Sequence, residues 1–283
     1  MRRGVTPSVT VRRRISLALL LAPPMTWLTV AYLGSLAVLL LSAFWSTNSF
    51  TGAVVRTFTL DNVVRVLTDD VFRTATVRTV SVALTVTVIC AVLAVPLAFY
   101  MAKVASPRVR IALVVAVTTP LWASYLVKAY AWRMLLSPEG PLSWAIDYTP
   151  GYGLVATIVT LTYLWLPYMV IPVFAAFSRV PDSLIDASSD LGASDLSTLR
   201  MVVAPLVFPG IAAGSIFTFS LSLGDYIAVT IVGGKTQLLG NIIYGQLVTA
   251  NNQPLAAALS IIPLVAIVAY LLAMRRTGAL ENV

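Results

Sequence analysis

Six stretches of this chain stay apolar for 20 residues or more: 15–45, 77–102, 111–131, 152–177, 201–232 and 255–274. A helix crosses the hydrocarbon core of a bilayer in about 20 residues, so each stretch is long enough for one crossing. Backbone amides have no water partner inside a bilayer, which leaves helices and closed barrels as the spanning structures. Continuous runs rather than alternating ones select helices. The chain therefore reads as an all-α integral membrane protein with six transmembrane helices. Composition agrees: 59% of residues are hydrophobic and 11% charged, against about 25% charged in soluble domains. Six crossings consume most of 283 residues, leaving one transmembrane domain at 15–274 between tails at 1–14 and 275–283.

The first run follows Arg12-Arg13-Arg14 and could pass for a secretory signal, but a signal's apolar region covers only about 7–15 residues. It reads as a retained span, with Pro23-Pro24 marking a break or the helix start. The fifth run exceeds the bilayer's need, and Pro205 and Pro209-Gly210 suggest that its opening turns lie at the cytoplasmic surface.

A formal charge of +8 would suggest nucleic acid as the partner of a soluble protein. Here the basic residues flank apolar runs and report topology. Five arginines precede the first span; Lys103, Arg108 and Arg110, then Arg179 and Arg200, then Arg275-Arg276 fall on the same side, twelve in all against seven opposite. That side is assigned to the cytoplasm, with both termini inside. No nucleic acid partner is expected. The one cysteine, Cys90, excludes a disulfide framework within the chain, and the lack of histidine excludes nucleophile–histidine catalysis. No catalytic, cofactor-binding or metal-binding residue is expected.

The external connection 46–76 carries Phe58, Leu60, Val63, Val64, Val66 and Leu67 at helical spacing, with Asp61 as a candidate N-cap. A short amphipathic helix on the membrane surface, or one touching an external partner, fits this pattern.

Between the fourth and fifth spans lies a polar, glycine-broken segment, about 179–200. Pro181-Asp182 suits a helix start, with Asp182 or Ser183 capping it, and Leu184, Ile185 and Leu191 give it apolar contacts. Gly192 permits the left-handed turn that ends it, and Ser194 can cap a following helix whose first turn holds Asp195. Small Ala187, Ser188 and Ala193 allow close approach. The product is a helix–hinge–helix knob able to seat in a groove of another protein, although capped helix ends also occur in ordinary loops.

This segment resembles the cytoplasmic coupling loop of ABC importer permeases. Asp186, Ala187, Gly192, Ala193, Pro205, Pro209 and Gly210 match the family pattern; Asp186 stands in for the usual glutamate and Ser188 for the second alanine. With Asp190 and Leu191, these are the residues that the resemblance implies for ATPase coupling. Leu223-Gly224-Asp225-Tyr226, Gly233-Gly234, Leu239-Gly240-Asn241 and Gln246 are similar to the spermidine/putrescine-type members. So are Pro120-Leu121-Trp122, Ser124-Tyr125-Leu126-Val127 and Ala129-Tyr130-Ala131-Trp132.

Asp225 is the one acid inside a confident apolar run, and a lone carboxylate there needs a partner. A cationic substrate can supply it, with Tyr226, Trp122, Tyr130 or Trp132 adding cation–π attraction. The alternatives are a structural pair with Lys128 or Arg133, or a place at the outer interface, where Trp and Tyr collect. Pro167 and Pro172 are candidate kinks in the fourth span.

The resemblance implies a type I importer permease in a bacterial cytoplasmic (inner) membrane, working by alternating access on polyamines. Its implied partners are two cytoplasmic ATPase subunits holding ATP and Mg, a second permease of different sequence, an extracytoplasmic substrate-binding protein and membrane lipid. Gly234-Lys235-Thr236 looks like the end of a phosphate-binding loop, but Val229 stands where its first glycine belongs. Within the class, an inorganic anion or ferric ion is the second substrate reading. A channel or an intramembrane enzyme lacks the repeated pore signature or acid–base pair it would need.

Overall fold

The computed structural model describes residues 19–48 and 51–276. The five arginines before the first span, the expected N-terminal tail boundary and residues 277–283 of the expected C-terminal tail lie outside the described residues. In chain order the elements are α1 (Leu19–Ser42), β1 (Ser46–Thr47), β2 (Val54–Val55), α2 (Asp61–Thr68), α3 (Asp70–Val104) and α4 (Pro107–Trp122). There follow α5 (Tyr125–Leu135), α6 (Pro141–Ile146), α7 (Leu154–Arg179), α8 (Asp182–Asp190) and α9 (Asp195–Leu223). The last are α10 (Ile227–Val232), α11 (Leu239–Tyr244, continued by a π turn Gly245–Thr249) and α12 (Gln253–Arg276).

Five of these helices are long and apolar enough to cross a membrane, and α4 with α5 makes a sixth crossing in two pieces bent by 100°. Chain direction requires that sixth crossing. Lys103 at the end of α3 bonds the Val180 carbonyl just past α7, so α3 and α7 finish at the same end of the bundle. The chain between them must return to the other end. The third apolar run, expected as one helix, thus breaks at Ala123 and Ser124, both extended. Pro120 in the preceding turn weakens the helix there.

The fifth run also divides. Instead of continuing to 232, α9 stops at Leu223 and the chain turns through Gly224-Asp225-Tyr226 into the short α10. At its other end α9 starts earlier, at Asp195, and passes Pro205 through a π turn at Leu199–Val203. Pro205 has no amide to bond back along the helix, and the wider turn absorbs that loss. The remaining prolines disturb less: α1 runs through Pro23-Pro24, and α7 stays continuous through Pro167 and Pro172. The second span begins at Asp70, seven residues before the apolar run. Asp69 caps it by accepting from the Val71 amide at 2.9 Å.

Several serines and threonines at this depth bond their own helix, whereas the buried hydroxyls of Thr160, Thr162 and Ser222 have no partner among the described residues. Thr79, Thr87, Thr118, Thr218 and Ser260 each donate to the carbonyl four residues earlier, at 2.7–3.1 Å. A hydroxyl so paired leaves no unsatisfied donor.

The core is α3, α7 and α9 packed together around Val86, Cys90, Leu161, Met169, Val173 and Phe177. Two glycines bring α9 against α7. A Cβ on Gly210 would sit 2.5 Å from the Ala176 Cβ and 2.7 Å from the Pro172 carbonyl oxygen; one on Gly214 would meet Met169 Sδ at 2.6 Å. Glycines four apart let membrane helices approach closely enough for backbone packing. By contrast α1 packs along α12 and leaves most of its surface open.

The external connection adds elements that the sequence does not announce. Ser46–Thr47 and Val54–Val55 form a small antiparallel ribbon, a departure from an all-helical reading. The expected amphipathic helix is α2, but Asp61 is its first residue rather than its cap; Leu60 holds the N-cap position, and the Thr59 hydroxyl accepts from the Asp61 amide at 3.1 Å. Asn62 fixes the segment by donating to the Ala43 and Trp45 carbonyls at 3.1 and 2.7 Å.

Candidate functional site

Two places bring the expected residues together. The first is the break between α9 and α10. Asp225 is 8% exposed, yet it belongs to no helix. One of its carboxylate oxygens accepts from the Ala228 amide at 2.9 Å, capping α10. The other accepts a hydrogen bond from the Tyr125 hydroxyl, at the start of α5. The sequence placed Asp225 within a continuous span. The structure instead gives it a backbone amide at a helix N-terminus and a phenol as hydrogen-bond donors.

Neither basic residue offered as its structural partner reaches it. Lys128 donates to the Pro120 carbonyl at 3.0 Å, covering the frayed end of α4. Arg133 donates to the Ile231 carbonyl at 2.7 Å and lies over the Tyr152 ring.

Asp225, Tyr226, Tyr125, Trp165, Ser220 and Gly224 line a cavity of about 280 Å³. The rings of Tyr125 and Trp165 stand 5.9 Å apart, and Tyr226 stacks on Tyr244 at 4.8 Å. The Trp165 indole N–H is buried and makes no hydrogen bond, an orphaned donor in the cavity's wall. α11 supports the floor: Asn241 donates to the Tyr226 carbonyl at 3.1 Å and to Thr230 at 2.7 Å. A Cβ on Gly240 would come within 2.9 Å of the Asp225 carbonyl oxygen. The Leu239-Gly240-Asn241 pattern thus holds the Asp225 turn.

Of the aromatics expected on a substrate path, only Tyr226 lines this cavity. The 100° bend leaves Trp122 90% exposed at the elbow, Tyr130 is also exposed, and Trp132 packs on Tyr163 at 5.3 Å. Tyr125 and Trp165 take their place. Tyr125 was within reach of sequence reading, since it follows the Pro120 break, whereas nothing in the α7 pattern distinguishes Trp165 from an ordinary apolar position.

The second place is the knob at the opposite end. α8 holds Asp186, Ala187, Ser188 and Asp190, and it closes as expected. Gly192 has φ +79, its amide bonds the Ser189 carbonyl at 2.9 Å, and the Ala193 amide bonds Ser188 at 3.1 Å. That double bond pattern around a left-handed glycine satisfies the last carbonyls of the helix. Ser194 caps α9 by accepting from the Ser197 amide, and Ser188 and Thr198 hydroxyls meet at 2.8 Å across the hinge.

Two details differ from expectation. Pro181 itself occupies the N-cap, so neither Asp182 nor Ser183 caps α8. Leu184 and Leu191, expected to pack, are exposed, Leu191 at 89%, as are Leu196 and Met201 further along the chain; only Ile185 turns inward to the core. Pro205, Pro209 and Gly210 lie along α9 rather than on the knob, and Gly210 serves the α7 contact. Beneath the knob is an apolar cavity of about 640 Å³ lined by Phe99, Phe177, Ile185, Leu196 and Leu199, among others.

Residues 94–276 match the family model described as "Binding-protein-dependent transport system inner membrane component". The chain is similar to the inner membrane ABC transporter permease protein YdcU of Escherichia coli (strain K12), 40% identical over 94% of this chain and 91% of that protein. It is similar to the spermidine/putrescine transport system permease protein PotB of the same organism, 32% identical over 80% of this chain and 84% of that one. Its fold is that of a chain in a bacterial ABC transporter involved in the import of the acidic polysaccharide alginate. The TM-score is 0.67 at 18% identity, covering 94% of this chain and 97% of that one.

Proposed function

Because the chain belongs to the family of binding-protein-dependent transport system inner membrane components, a transport subunit and not an enzyme, we propose that it forms the polyamine path of an ATP-driven importer. It is a multi-pass inner membrane protein with the type I importer permease fold. In this reading ATP and Mg are held by two separate ATPase subunits on the cytoplasmic side. A second permease of different sequence completes the bundle, and an external binding protein delivers the substrate. Both termini are cytoplasmic, which puts the knob at the ATPases and the Asp225 cavity toward the outer half.

The observation that carries the polyamine reading is Asp225, a buried carboxylate in an aromatic-walled cavity. Such a wall attracts an ammonium by charge and by ring quadrupole, and the buried site strengthens both. The 32%-identical relatives named for spermidine/putrescine transport support it. Of the two other substrates considered, an inorganic anion would meet a like charge there, and a ferric ion would find no cluster of three or more His, Cys, Asp or Glu among the described residues. One carboxylate neutralises one ammonium of a polycation, which is why a second, different permease belongs in the proposal.

Alternating access then needs the exposed apolar residues Leu191, Leu196 and Met201 to seat in the ATPase. ATP-driven closure of the motor moves the knob, and the packed helices switch between two arrangements. Uptake of radiolabelled spermidine into vesicles holding the assembled transporter tests the reading. Asp225→Asn should raise the half-saturating concentration about tenfold or more. Unchanged affinity and rate would remove Asp225 from the path.

A further inference from the structure

The joint between α7 and α8 is two extended residues, Val180 and Pro181. Two extended residues between helices make a hinge, and a hinge below the ATPase-facing helix would dissipate motion. The structure clamps it from a third element. Lys103, at the end of α3, donates to the Val180 carbonyl on one side of the joint and to the Asp182 carboxylate on the other, both at 2.6 Å. Its side chain is 13% exposed, whereas that of Asp182 is 80% exposed. The ammonium also faces the carbonyl end of α7, where a cation is favoured by the helix dipole.

The clamp is itself braced. Arg110, in the first turns of α4, donates from Nε to the Met101 carbonyl at 2.9 Å and from an Nη to Ala102 at 3.0 Å. These are the two residues before Lys103. The far end of α4 leads through the Ser124 elbow to Tyr125, the partner of Asp225. One chain of bonds and one helix, its far end held by Lys128 on the Pro120 carbonyl, thus run from the hinge of the knob to the cavity.

We propose that Lys103 is a positioning residue that locks α8 to α3 and α7, so that movement of the knob reaches the α4–α5 elbow instead of being lost at the Val180–Pro181 hinge. The inference rests on α8 being the ATPase-facing helix. A cation placed there only by membrane topology would need neither partner.

Two measurements test it. In the full permease in lipid nanodiscs, spin labels at Ser178→Cys and Ser189→Cys report the α7–α8 distance, with the native Cys90 buried. Lys103→Met should broaden that distribution and Lys103→Arg should restore it; superimposable distributions overturn the clamp. In the assembled transporter, Lys103→Met should lower substrate imported per ATP hydrolysed about tenfold while hydrolysis stays within about twofold, again with rescue by arginine. An unchanged ratio overturns the transmitting role. Should Lys103→Met fail to insert, Asp182→Ala at the exposed carboxylate carries both measurements, with the same outcomes overturning the proposal. The distance experiment needs no transport, so an inactive wild-type complex counts against the proposed function and leaves the clamp to be judged on its own.

Discussion

The Tyr125 hydroxyl donates to the Asp225 carboxylate across 100 residues of sequence, joining the start of α5 to the break between α9 and α10. Tyr125 is the first residue of α5, and Asp225 lies between two helices. Both broken spans meet here, so the acid that looked isolated has a phenol and a backbone amide.

Tyr125→Phe should destabilise the protein by about 1–3 kcal/mol, since a buried acceptor loses its donor. Asp225→Asn in the same background should cost less than the sum of the two single changes, because the pair acts as a unit. Thermal unfolding of the four proteins in detergent reads both effects. Additive losses would mean that the bond contributes nothing.

Trp165→Phe removes a buried N–H that has no acceptor. Unlike most core aromatic changes, it should leave thermal stability within about 1 kcal/mol, because no hydrogen bond is lost. If the cavity binds an ammonium by ring faces, uptake should weaken only about twofold to fivefold, phenylalanine being the poorer ring. Trp165→Leu should weaken it further.

Gly210→Ala should lower the melting temperature, since its Cβ would press on the Ala176 Cβ and the Pro172 carbonyl oxygen. Overpacking of this kind costs about 1–3 kcal/mol. Gly34→Ala is the matched control: it also lies in a spanning helix, a Cβ there meets nothing within 4 Å, and alanine is the better helix former. Equal melting temperatures for the two variants would show that α7 and α9 are not held by close approach.

Gly192→Val places a β-branched residue at φ +79, at about 1–2 kcal/mol or more of backbone strain. The end of α8 should fray, and co-purification of the ATPase should fall several-fold without loss of permease from the membrane. Leu191→Asp should do the same by charge, leaving the backbone unaltered. Full ATPase recovery with both variants would place the motor's contact elsewhere.

The six-crossing plan, the knob and its left-handed glycine were readable from residues alone, because each rests on local physics. Hydrocarbon thickness fixes run length, and a helix end needs a residue tolerant of positive φ at 192. The Asp225 cavity was only half readable. Its acid and Tyr226 stood out by chemistry, but Trp122, Tyr130 and Trp132 were chosen by nearness in sequence, and a 100° bend sends Trp122 outward. Tyr125 and Trp165 belong to the site through folding, and an apolar pattern carries no sign of which ring faces a cavity.

By itself, then, the sequence determined that this chain lives in a bilayer as helices, roughly where they begin, and that a small-residue knob separates two of them. These follow from solvent and backbone, which act on neighbours along the chain. Tertiary structure alone decided that Asp225 pairs with Tyr125 rather than with Lys128 or Arg133, that Gly210 serves helix packing, and that Lys103 spans a hinge. Those choices depend on which carbonyls and hydroxyls come within about 3 Å of one another, and segments distant along the chain meet at that range only once the helices have packed.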